Sequence, residues 1–107
     1  MLPSVGQRRV TGTGADAGED PRVMELSAAV SRLRRELAGH PAEFMDRGIA
    51  EDELAALAAM AADGAPEVRR LRRSLLLVAG AIGSVSALAT ALAAVRNAVE
   101  LFGDAPR

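Results

Sequence analysis

The sequence predicts an all-α fold, a small antiparallel bundle of three to four helices behind a disordered N-terminal tail. Three observations predict it. Ala dominates the apolar half of the chain, and Phe44 and Phe102 are its only aromatic residues. Ala is the strongest helix former, whereas strands favour β-branched and aromatic side chains. Apolar residues also recur at spacings of three and four, the period of a one-sided helix. Finally, Pro stands where each such run begins or has just ended, and Gly where it stops.

Residues 1–19 are rich in Gly, Ser and Thr and lack periodicity, so they read as a disordered tail, in which Arg8 and Arg9 are solvated. This segment has no apolar run after its arginines and resembles neither a secretory signal nor a transit peptide. The helical domain is expected over residues 20–103, with 104–107 a short C-terminal tail.

Asp20 is a suitable N-cap for the first helix, and Pro21 suits its first position, where a missing N–H costs nothing. Val23, Leu26, Val30, Leu33 and Leu37 make its apolar stripe, and Gly39 and Pro41 end it. A short turn or loop with Phe44 and Met45 tucked against the bundle leads to a second helix over about 49–63. Glu51, Asp52 and Glu53 fall in its expected first turn, where negative charge suits the macrodipole. Its core stripe is Leu54, Leu57 and Met60 or Ala61, and Gly64 closes it. Pro66 and Glu67 open a third helix with Val68, Leu71, Leu75, Val78 and Ile82 on one face. A fourth is expected from an N-cap at Ser84, carrying Val85, Leu88, Leu92, Val95, Val99 and Phe102 and stopped by Gly103.

The stretch from Ser74 to Val95 holds 22 residues without a charge. As one helix it is about 33 Å long, close to a bilayer's hydrocarbon thickness. Against insertion, twelve of the 22 are Ala, Gly or Ser, and neither Trp nor Tyr is present to form an interfacial belt. The apolar phase slips from a 3-4 to a 3-3 step around Gly83, which favours a break or kink there. A turn at this point makes the last two helices a hairpin.

Charge and chemistry narrow the function. A net charge of −1 provides no global drive toward nucleic acid, and no aromatic residue interleaves with the arginines for base stacking. The absence of Cys removes disulfides and thiolate metal sites. His40, the only histidine, sits between Gly39 and Pro41 as a loop or C-cap residue, and no Ser–His–Asp arrangement is visible. Glu51, Asp52 and Glu53 diverge around a helix axis and do not form a metal site. No enzyme activity, cofactor or metal is expected.

Arg69, Arg70, Arg72 and Arg73 occupy the first two turns of the third helix, where the macrodipole disfavours positive charge. They call for an anion from an acidic partner, a phosphate or anionic lipid, or form a solvated face. The nearest acidic run, 51–53, is expected about 15–18 Å away at the far end of the second helix. An Ala-rich core buries little area per helix, so a small bundle benefits from a partner.

The run RRLRRSLLLVAGAIGSVSALATALAAVRNAVELFG, with ELSAAVSRLRREL and AEDELAALAAMA upstream, resembles small uncharacterised actinobacterial helical proteins over about residues 23–103. It is also similar to helical accessory segments of bacterial conflict systems. The resemblance implies an accessory or assembly module with no assigned chemistry and carries over no functional residue. The expected function is a cytoplasmic helical interaction module that self-associates or docks on a larger protein through its last two helices. Leu71, Leu75, Val78, Ile82, Val85, Leu88, Leu92, Val95, Val99 and Phe102 are the candidate interface, with the four arginines orienting an acidic counterpart. The alternative is a membrane-associated or pore-forming protein inserting residues 74–95.

Overall fold

The computed structural model describes residues 20–41 and 45–103. The expected N-terminal tail, Phe44 and the last four residues lie outside them. Four α-helices, α1 (Pro21–Gly39), α2 (Arg47–Asp63), α3 (Val68–Ile82) and α4 (Ala89–Gly103), make up the described fold, with a single 3₁₀ turn, Ser86–Leu88, leading into α4.

The first helix begins as its sequence dictates. Asp20 caps it through Oδ1, which accepts from the Arg22 backbone N–H at 2.9 Å, and Pro21 is the first helical residue. The Arg22 guanidinium returns to the same carboxylate at 3.0 Å. These hydrogen bonds from Arg22, side chain first and backbone second, hold the Asp20 carboxyl below the usual carboxylate range. The stripe Val23, Leu26, Val30, Leu33 and Leu37 is buried, joined by Ala29.

The second helix starts at Arg47, two residues before its expected start, so its first turn has no acidic residue and the 51–53 run falls in the second turn. Met45 is 96% exposed instead of tucked against the bundle. Gly64 ends α2 with φ 82°, a left-handed conformation that costs glycine nothing. From there the chain must reverse direction. Glu67 at the N-cap is extended and makes no side-chain cap bond. Pro66 therefore stands outside α3 and not at its first position, and the helix starts at Val68.

The uncharged stretch is two helices. α3 ends at Ile82, the chain turns through Gly83 and Ser84, and Val85 is extended before the 3₁₀ turn. Gly83 donates its N–H to the Ala79 carbonyl at 2.8 Å, and a Cβ at Gly83 would collide with that same oxygen. Among the described residues no helix is long and apolar enough to cross a membrane.

Consecutive helices run antiparallel. Ser74 meets Glu53 across α2 and α3, Arg72 meets Gly103 across α3 and α4, and Arg47 meets Leu37 across α1 and α2. α4 returns beside α1, where the Arg22 guanidinium lies 4.9 Å from the centre of the Phe102 ring. Each helix thus packs on two neighbours, α1 and α3 both lying between α2 and α4. Leu26, Leu33, Leu37, Leu54, Leu57, Leu71, Ile82 and Leu88 are fully buried at the centre. Each contributes about 1.5–3 kcal/mol by leaving water. Ala50, Ala61, Ala91 and Ala98 are buried between them and let the backbones approach.

Candidate interaction surface

The ten apolar residues expected at a protein interface occupy the core of the single chain. Leu71, Val78, Ile82, Leu88, Leu92, Val95, Val99 and Phe102 are buried there, and Leu75 and Val85 are half-buried against it. The reason is closure of the ring of four helices. Once α3 and α4 fold back through the Gly83 turn, their apolar stripes meet each other and those of α1 and α2.

The exposed side of α3 has a different composition. At about 100° per residue, Arg69, Arg73, Leu76, Gly80 and Gly83 follow one another along the helix, opposite buried Leu71 and Val78. All five are exposed. Leu76 is 72% accessible, and Leu77 beside it 40%. α4 adds Leu101 at 45%, and Met24, Met45 and Ile49 are the other large apolar side chains that face water among the described residues. Leu76 and Leu77 fall outside the apolar row of Val68, Leu71, Leu75, Val78 and Ile82, and that row does not tell which of them stays uncovered. The spacing 69-73-76-80-83 was the signal that could have found this stripe.

The four arginines do not act as one group. Arg72 turns toward α4 and donates from Nη2 to the Gly103 carbonyl at 3.3 Å, which caps the α4 C-terminus. A Cβ on Gly103 would run into that guanidinium, so glycine there makes room for it. Arg70 and Arg73 border a depression of about 250 Å³ together with Glu53, Ala56, Ser74 and Leu77. The acidic run is closer to these two than its expected separation from the arginines, because α2 and α3 pair with Glu53 level with Ser74. Buried Ser74 donates its hydroxyl to Glu53 Oε1 at 2.8 Å. Glu51 points elsewhere, pairing with Arg47 at 3.2 Å. The ion pairs of the described residues join Arg22 to Asp20, Arg32 to Glu36 and Arg47 to Glu51. Arg69, Arg70 and Arg73 therefore have no carboxylate within ion-pairing distance among the described residues.

Sequence reasoning missed Ser74, Arg47 and the capping role of Arg72. Ser74 lies three residues after Leu71 and four before Val78, on the buried face, which is the signal that marks it. Arg47 donates to the carbonyls of Leu37 and of His40, the latter at 3.1 Å, and so caps α1 from the start of α2. His40 is the C-cap of α1, its N–H donating to the Leu37 carbonyl at 3.1 Å.

Residues 15–103 match a family of unknown function (DUF5955), and the chain belongs to that family. No curated protein and no solved structure matches it.

Proposed function

We propose that this member of a family of unknown function is a non-enzymatic, cytoplasmic helical interaction module, which self-associates or docks on a larger protein through its C-terminal helices. One observation carries the reading. The outer face of α3 sets Leu76, a large apolar side chain almost three-quarters open to water, directly after arginines that lack carboxylate partners among the described residues. Burying Leu76 and Leu77 supplies affinity, and Arg69, Arg70 and Arg73 select an acidic or carbonyl-rich counterpart and fix its orientation. The ten core residues act indirectly, by holding α3 and α4 so that this face is presented. The likeness of the helical segments to accessory segments of bacterial conflict systems fits an assembly role of this kind.

Light scattering and sedimentation in plain buffer test the proposal. Wild-type protein is expected to travel as an assembly or to form a defined complex with its partner, and Leu76→Glu to abolish this while keeping its helical circular dichroism. Folded Leu76→Glu protein that assembles as the wild type does would remove the α3 face from the function.

A further inference from the structure

We infer that the occupant of the outer α3 face is the same face of a second copy of this chain, crossing antiparallel about a two-fold axis at Leu76. The inference rests on the module reading above and goes further by naming the partner and its register.

Shape comes first. Along the stripe, large side chains, Arg69 and Arg73, fill the N-terminal half, Leu76 marks the middle, and Gly80 and Gly83 form the C-terminal half. A two-fold axis at position 76 sets residue 73 opposite 79, one residue from Gly80 along the helix, and residue 69 opposite 83. The Arg69 stem then lies over Gly83 and the Arg73 stem beside Gly80, as self-complementary contact between identical surfaces requires. Gly80 has no role within one chain that explains it. It stands inside α3, where glycine weakens a helix, and a Cβ built on it meets nothing within 4 Å. A helix crossing closely at this point requires a residue without a side chain.

Charge points the same way. α3 carries its arginines at the end where the macrodipole is positive and has no basic residue in its last turn. Among the described residues no backbone N–H donates to the carbonyls of Gly80 or Ala81 at its C-terminal end. An antiparallel second copy corrects both ends at once, bringing Arg69 and Arg73 of each chain to the carbonyl end of the other's α3. The same device already operates twice within the chain. Arg47 at the start of α2 serves the C-terminal carbonyls of antiparallel α1, and Arg72 near the start of α3 serves that of antiparallel α4. Like charges stay apart, since the two copies of Arg73 stand about 9 Å from one another along the axis.

The chain has no cysteine, so introduced thiols report the register directly. Under a mild oxidant, Leu76→Cys is expected to cross-link to itself. Arg73→Cys and Gly80→Cys are each expected to stay single alone and to cross-link to one another when mixed. Sedimentation of the wild type should give twice the mass of one chain, reduced twofold by Leu76→Glu. Self-cross-linking of Arg73→Cys in preference to the mixed pair would overturn the antiparallel register. A wild-type dimer with no cross-link at position 76 overturns this face while the module reading stands. A folded, monomeric wild type overturns the inference; if its Arg69, Arg70 and Arg73 then hold it on vesicles of anionic phospholipid, the face belongs to a lipid surface instead.

Discussion

At the scale of single residues, polar side chains decide how the helices register. Ser74 is the one polar residue among the buried residues described, and its hydroxyl is answered by Glu53 at 2.8 Å. An apolar residue in its place would pack as well against Leu71 and Val78 but would leave Glu53 without its donor. Hydrogen bonds to charged groups contribute about 1.5–3 kcal/mol, the low end applying where water reaches the acceptor. Ser74→Ala is expected to lower unfolding free energy by about 1–2 kcal/mol in urea titrations, with most of that loss absent when Glu53 is already Ala. Equal losses in both backgrounds would mean that the hydroxyl contributes through packing alone. Asp20 is the other instructive position. Its carboxyl is held low by the Arg22 hydrogen bonds, so the stabilisation it supplies is complete above the unfolded carboxylate range and disappears as pH falls through its depressed folded value.

At the scale of elements, α3 combines opposite demands. Leu71, Ser74, Val78 and Ile82 face the core, while Arg69, Arg73, Leu76 and Gly80 face outward. A helix with one covered face needs only the first set. The second set contains a glycine that lowers helix stability and a leucine that hides little apolar surface. At dilutions where the chain is a monomer, Gly80→Ala is expected to raise stability by about 0.5–1 kcal/mol, read from the thermal midpoint by circular dichroism, because its Cβ enters open space. No gain would show that the monomer needs glycine at this position. Gly83 is the opposite case, since a Cβ there would meet the Ala79 carbonyl oxygen and disturb the turn that separates α3 from α4.

At the scale of the molecule, closure of four antiparallel helices sorts leucines of similar sequence setting into different roles. Leu88 is 2% exposed and Leu76 72%. A charge at Leu88 has no partner in the core, and burying one unpaired costs more than a small domain has to spare. Leu88→Glu is therefore expected to lose its cooperative thermal transition, whereas Leu76→Glu keeps it. A folded Leu88→Glu protein would mean that the 3₁₀ turn leading into α4 is less tightly held than the burial of Leu88 implies. The arginine caps act at this scale too, because Arg47 and Arg72 tie the beginning of one helix to the end of its neighbour.

Much of this was legible from local chemistry. Capping at Asp20, the stripes at spacings of three and four, the left-handed stop at Gly64 and the all-helical class follow from interactions a few residues long, which a sequence displays directly. The phase slip at Gly83 already hinted at two helices. Only the tertiary structure decided whether the uncharged stretch was folded on itself, and hence that its apolar residues cover one another within a single chain. It also decided that Leu75 turns partly inward while Leu76 turns out, that Arg72 belongs to α4, and that Glu53 stands level with Ser74. Composition cannot separate those cases. A step of one residue rotates a side chain by about 100°, and what lies in the new direction depends on neighbours distant in the chain.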